Sequence, residues 1–327
     1  DLMIRLGYAL DPHGTLERGF HPTGVCGIFG AVVTAARLLG LDTQATTWAL
    51  GIAGSQTAGS MEYLAQGSWT KRMHPGWAAH SGILAALLAR EGFTGPSTIF
   101  EGRDGFFHGY SSASEPPRAL EELGELFFIT RCTIKPYASC RYTHGPIDCL
   151  LRLKREHGIR PQEIAQVTVP VLKAGWNIVV APEERKRDPQ SIVDAQFSMP
   201  FGAAVALLYS HAFLEEYSEE RLSSPEVREM MDKVRCVQDP ALEEHFPARW
   251  PAWAEIETRD GRRFSTRTDY PKGDPENPLT WDELKGKFCA LAGLVFSPKR
   301  QEEVIVRVEE LEGLRDVREL ASLVRTR

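Results

Sequence analysis

The chain has no C-x-x-C pair and no Cys/His spacing of the kind that holds zinc; its six cysteines, Cys26, Cys132, Cys140, Cys149, Cys236 and Cys289, are scattered. A disulfide framework and structural zinc are therefore disfavoured, and free thiols in a reducing cytoplasm fit best. No run approaches the ~18 apolar residues that cross a bilayer, and the start, DLMIRLGYALD, lacks the basic beginning and cleavage pattern of a signal peptide. It reads instead as the middle of an apolar helix, so an upstream region is expected. There is no G-x-G-x-x-G or G-x-x-x-x-G-K-[ST] loop, no G-x-S-x-G elbow and no H-E-x-x-H pair. Those absences remove the simplest arguments for a nucleotide cofactor, a nucleophilic serine and a metal, and we expect none of the three. Positive charge is also short, with 38 Lys and Arg against 44 Asp and Glu, a net charge of -6 and a pI near 5.9. Nucleic acid and anionic membrane are thus poor partners, and any basic site must be small and local.

What the sequence does have is an ordinary globular composition, 43 % hydrophobic and 25 % charged over 327 residues, enough for one large domain or two of ordinary size. Its most informative stretch is Gln66 to Glu91, QGSWTKRMHPGWAAHSGILAALLARE, which places Lys71, Arg72 and His74 at the mouth of one amphipathic helix. Unpaired backbone N–H groups and the positive end of the macrodipole make such a mouth an anion site, and fixed cations add to it. Along this helix Ile83, Leu84, Leu87 and Leu88 form the expected apolar stripe, with Gly92 as terminator. A second helix is predicted from Pro22 or Thr23 to Gly40, rich in small residues, with His21 immediately before it. A third, nearly uncharged helix is expected to start at Thr43 or Thr46 and to be internal, which gives a tightly packed helical layer.

Further along, LFFITRCTIK reads as a strand broken by Pro136, delivering a loop that carries Lys135 and Tyr137, and THGPIDCLLRLKREHG reads as the helix that follows. Residues 163–172 alternate as a half-buried strand, and 252–268 read as a hairpin turning at Asp260-Gly261. SPEVREMMDKVRC is expected to be a helix, and after the Pro- and Gly-dense linker YPKGDPENPLT the chain becomes helical again. The expected fold is mainly α with an α+β insertion containing an antiparallel sheet. We divide it into a first helical part at 1–134, an α+β domain at 135–270 and a helical return at 271–327.

The polar side chains that fall beside helix starts or in loops are His21, Lys71, Arg72, His74, Lys135, Tyr137 and His144. Such a set suits a small substrate with several carboxylates. Chemistry beside a carboxylate moves a proton or CO2 at the adjacent carbon, and the negative charge that develops is stabilised by fixed cations and donors.

Five blocks, GFHPTG at 19–24, GSWTKRMHPGWAAHSGILAALLAREGFTGP at 67–96, KPYASCRYTHGPID at 135–148, AQFSMPFGAAVALL at 195–208 and PKGDPENPLTWDELKGKF at 271–288, together resemble the MmgE/PrpD family in family order. The resemblance implies metal-independent enzymes of small polycarboxylates, among them 2-methylcitrate dehydratase, cis-aconitate decarboxylase and iminodisuccinate epimerase. It also implies a homodimer, with a large discontinuous helical domain, a smaller lid and an active site between them. By resemblance His21, Lys71 and Lys135 match active-site positions, with Tyr137 and Cys140 in the same block as Lys135. Cys140 stands where decarboxylase-like members carry histidine, and K-R-M-H-P-G around Lys71 looks more like the epimerase branch. Members also carry a long segment ahead of the point where this chain begins, so the chain reads as N-terminally truncated relative to them.

The expected function is therefore a cofactor-independent lyase or epimerase of a small di- or tricarboxylate. Lys71, His21 and Tyr137 are the catalytic candidates; Lys135, Arg72, His74 and Cys140 are the substrate-binding ones. The alternative from another class is a catalytically inactive family member that binds ligand or serves a structural role.

Overall fold

The structure, a computed structural model, describes residues 1–325. The chain separates into two compact units. The first comprises Asp1–Cys132, Ala181–Ser198 and Ser218–Ser224; the second comprises Thr133–Val180, Met199–Tyr217 and the chain from Pro225 onward, so the C-terminal helices group with the sheet.

The first unit is built on three helices, Pro22–Leu39, Thr43–Gly54 and Thr70–Arg90, with Leu2–Ala9 against the first of them. Small residues set how closely they pack. A Cβ on Gly82 would lie 2.6 Å from the Ala31 Cβ and 2.7 Å from the Ile28 carbonyl oxygen, so that crossing admits only glycine. Consequently the buried face of Thr70–Arg90 is Ala78, Ser81, Gly82, Ala85, Ala86 and Ala89. The expected Ile83/Leu84 stripe is wrong on this point: Ile83 is 49 % and Leu84 41 % exposed. Close backbone approach, rather than large side chains, fills this part of the core. The Thr43 helix is capped by Asp42, whose carboxylate accepts from Ala45 N at 2.7 Å. The helix Pro22–Leu39 has the length and mean hydropathy (1.5) of a bilayer-spanning segment, which corrects the expectation that no such run exists. Its Val25, Ile28, Phe29 and Val32 are buried in the core of this unit.

The strand expected over 126–135 does not form. Phe128–Arg131 is a short 3-10 turn, and the neighbouring backbone groups are taken by side chains from the first helix. Asp1 accepts from Phe128 N at 2.7 Å, and the buried Arg5 donates to the carbonyls of Glu121 and Leu126, each at 2.6 Å. Side-chain partners of this kind offer the backbone an alternative to a ladder, and they override β propensity here.

The second unit holds a four-stranded sheet in the order β2-β1-β3-β4, with β1 Ile164–Pro170, β2 Val234–Val237, β3 Ala252–Thr258 and β4 Arg263–Thr268. β1–β3 and β3–β4 are antiparallel, and β4 returns from β3 through Gly261 at φ 84°. β2 is a correction to the expected antiparallel sheet and to the helix read over 224–236. That helix ends at Asp232, and the chain, after a long helical excursion from β1, enters parallel to it. Only so long a connection permits a parallel pair. The helix His144–His157 lays Ile147, Leu150 and Leu153 on the sheet, beside the apolar helix Met199–Tyr209, whose Pro200 is tolerated because it sits in the first turn. The mixed sheet and its helices make the fold mainly α with a smaller α+β part.

Candidate active site

His21 is the N-cap of Pro22–Leu39, in extended conformation at φ -86° and ψ 112°, and its N–H donates to Gly59 O at 2.8 Å. That bond requires the segment around residue 59 to lie against the helix start. A Cβ on Gly24 would sit 2.5 Å from Ala58 O, and Gly59 itself has φ 148°, so two glycines make the approach possible. The approach brings His21 to the first turns of Thr70–Arg90. There His21 Nδ1 and His74 Nδ1 are 2.9 Å apart, and the Tyr63 ring stands edge-on to both imidazoles, with centroids at 5.7 and 5.8 Å. Lys71 Nζ lies 5.9 Å from the Tyr63 ring centroid and 5.6 Å from that of Phe197.

The electrostatics of this group are one-sided. Burial, reinforced by the positive charge of Lys71 and by His74, pushes the His21 pKa down from 6.5 to about 4. Burial and Lys71 push His74 down as well. Both rings are thus neutral at neutral pH, and the expectation that His74 serves as a third cation is corrected by its burial (8 % exposed). Two neutral imidazoles can share an Nδ1···Nδ1 hydrogen bond only if one Nδ1 carries the proton and the other does not. One ring then has a bare Nε2 and the other an Nε2–H, which supplies a base and an acid side by side. Arg72 is not gathered into this group; its guanidinium stacks over Trp69 at 5.3 Å and donates to Gln196 Oε1 at 3.2 Å.

The second unit assembles the other predicted residues in one loop, Thr133 to Arg141. Lys135 Nζ donates to Ser139 O at 3.2 Å and makes no ion pair among the described residues. Burial lowers its pKa, opposed by Cys140 and reinforced, to a smaller extent, by Arg141. Tyr137 donates its hydroxyl to Asp148, and burial together with that carboxylate raises its pKa well above the usual phenol range. Tyr137 is thereby committed to a structural partner. Asp148 also accepts from Lys272 N at 2.6 Å. His144 is fully buried, with Nε2 3.3 Å from Ser139 O and Nδ1 without a hydrogen-bond partner among the described residues; burial, Arg141 and Lys135 drive its pKa down to about 3. Cys140 ends the loop just before a single 3-10 turn at Arg141–Thr143.

Sequence reasoning missed Tyr63, Phe197, Arg141, Asp148, Asp274 and Lys287. Arg141 pairs with Asp274 at 2.5 Å and lies over Trp250 at 5.0 Å, while Lys287 Nζ donates to Lys135 O at 2.8 Å. Arg141 and Asp148 stand inside a quoted block and Lys287 and Asp274 inside another, which was the only available signal. Among the described residues no group of three His, Cys, Asp or Glu side chains converges as a metal site.

With this arrangement in view, the comparisons with known proteins agree over almost the whole chain. Residues 1–119 match the MmgE/PrpD N-terminal domain and residues 137–312 the MmgE/PrpD C-terminal domain, and the chain belongs to the MmgE/PrpD family. It is 30 % identical to the cis-aconitate decarboxylase-like protein oryM of Aspergillus oryzae over 340 residues, covering 98 % of this chain and 68 % of that protein. The cis-aconitate decarboxylase of Aspergillus terreus is 29 % identical, over 98 % of this chain and 67 % of its own length. That of Mus musculus is 26 % identical, over 99 % and 68 %.

Proposed function

We propose that the protein is a cofactor-independent lyase or epimerase of a small di- or tricarboxylate, moving a proton or CO2 at a carbon next to a carboxylate. The observation that carries this reading is the His21–His74 contact at 2.9 Å beside Lys71. Removal of a proton, or of CO2, leaves an electron pair on the carbon beside a carboxylate, and that pair delocalises into the carboxylate oxygens. Lys71 stabilises the extra charge. The imidazole with the bare Nε2 takes a proton from the substrate, and the one bearing Nε2–H returns a proton to carbon; the shared Nδ1 proton then passes to the ring that gave up its proton, leaving both rings neutral with their tautomers exchanged. Within the second unit, Lys135, which makes no ion pair among the described residues, is the candidate for receiving a carboxylate.

A tricarboxylate such as cis-aconitate is the substrate to try first, because the relatives matched at 26–30 % identity over nearly the whole chain are two cis-aconitate decarboxylases and a cis-aconitate decarboxylase-like protein. Cys140, and the K-R-M-H-P-G form around Lys71, favour trying an epimerase substrate alongside it. The test is turnover of cis-aconitate, methylcitrate and iminodisuccinate by the wild type and by Lys71→Ala. Turnover of one of them that is lost in the variant supports the reading, and equal turnover by the variant removes Lys71 from it. Stabilisation by these acids without any turnover favours the alternative of a ligand-binding protein.

A further inference from the structure

The turn at 270–277 looks in the sequence like a solvated Pro- and Gly-rich linker, yet it grips the Lys135 loop at several points. Gly273 O accepts from Ile134 N at 2.9 Å, and a Cβ on Gly273 (φ 91°) would lie 2.0 Å from Ile134 O, so only glycine fits. Asp274, 6 % exposed, accepts from Thr133 Oγ1 at 2.7 Å and, through both carboxylate oxygens, from Arg141 Nη2 at 2.6 and 2.5 Å. Thr133 and Arg141 are the two ends of the loop that carries Lys135, Tyr137 and Cys140. One buried carboxylate therefore closes that loop at both ends. Lys287 adds a bond to the Lys135 carbonyl itself.

We infer that Asp274 is a positioning residue for Lys135: by closing the loop at both ends it holds the Lys135 ammonium in the placement from which it receives a substrate carboxylate. The inference rests on the carboxylate-binding role proposed for Lys135 above. Among the described residues the Lys135 ammonium bonds only to Ser139 O, within the loop, so its placement follows the loop backbone. Asp274 also neutralises Arg141. Without it an uncompensated guanidinium would stand beside Lys135, and breaking a buried pair by removing one partner is strongly disruptive.

The test compares Asp274→Asn, Lys135→Met and the double variant by hydrogen exchange over 133–141 and by KM and kcat for cis-aconitate as probe. Asp274→Asn is expected to lose protection in the loop while β1 and β3 keep theirs, and to raise KM about tenfold with kcat changed much less, the pattern of lost uniform binding. Lys135→Met is expected to raise KM to a similar degree, and the double variant no further, because the two changes act on one interaction. Full protection of the loop in Asp274→Asn overturns the inference, and so does an unchanged KM in that variant when Lys135→Met raises it. If Lys135→Met leaves KM alone, the proposed role of Lys135 fails and the inference with it. Should Asp274→Asn not fold, Thr133→Val opens one end of the loop alone; a smaller loss of protection and a smaller rise in KM are expected, and neither changing overturns the inference.

Discussion

The two groups of basic side chains are held in opposite ways. In the first unit, His21, His74 and Lys71 are placed by backbone approach and aromatic walls: two glycines let the helix start meet the segment at residue 59, and the rings of Tyr63 and Phe197 flank the ammonium. The groups that move the His21 pKa, besides burial, are Lys71 and His74, both basic. In the second unit the Lys135 loop is held by acids, the half-buried Asp148 at Tyr137 and the buried Asp274 at Thr133 and Arg141. On the proposed function, the difference teaches that the imidazoles of the first group serve chemistry, whereas the acids of the second fix the shape of a loop. Substitutions in the first should therefore change rate more than stability, and substitutions among the acids of the second should do the reverse.

The largest expected effect is on catalysis in the first unit. Lys71→Ala should lower kcat/KM by about a hundredfold or more, the usual effect of removing one stabiliser of developing charge, with stability changed by less than about 1 kcal/mol. Steady-state kinetics paired with denaturant unfolding checks both halves. Next comes the stability of the second unit. Asp148→Ala leaves the Tyr137 hydroxyl and Lys272 N–H without their acceptor, at a cost of about 2 kcal/mol in denaturant unfolding for two part-buried donors.

Acid pH sharpens the comparison further. The folded pKa values of His21 and His144 lie below their ordinary 6.5, so both are neutral in the native state while the unfolded chain takes up protons. Their contribution to stability is present above about 6.5 and is lost as pH falls, down to about 4 for His21 and about 3 for His144. His144, fully buried, should add a slope of up to about 1.4 kcal/mol per pH unit inside its window, and His144→Leu or His144→Gln should flatten unfolding free energy measured against pH. The smallest effect belongs to Tyr137→Phe. Because its hydroxyl is committed to Asp148, we expect about 1 kcal/mol of lost stability and turnover within about threefold of wild type. A loss of turnover comparable to that of Lys71→Ala would place Tyr137 among the reacting groups and erase the contrast.

Much of this was legible in the residues and some was not, for identifiable reasons. Helix starts at Pro22 and Trp281 and the hairpin at Gly261 follow from local turn and cap chemistry, which a sequence displays directly. The positions of His21 and Lys71 beside helix starts are of the same kind. Their meeting is not, because it depends on Gly24 and Gly59 admitting a backbone approach between segments far apart in sequence. The exposed Ile83 and Leu84 misled because periodicity finds an apolar face but cannot know that a small-residue face packs better against Ala31. The false strand at 126–135 shows propensity losing to Asp1 and Arg5, two side chains that no local window contains. Asp274 was hidden most thoroughly, since a carboxylate among prolines and glycines reads as a solvated turn until its partners Thr133 and Arg141 are seen.

The central claim is that His21 and His74 form a neutral, hydrogen-bonded acid–base pair next to Lys71. Imidazole nitrogen NMR of the labelled protein, followed from neutral pH downward, tests it most directly. The account predicts two neutral rings at pH about 7, one protonated at Nδ1 and the other at Nε2, with His21 charging only near pH 4. Either ring charging near its ordinary 6.5, or both rings protonated at Nε2, would contradict it.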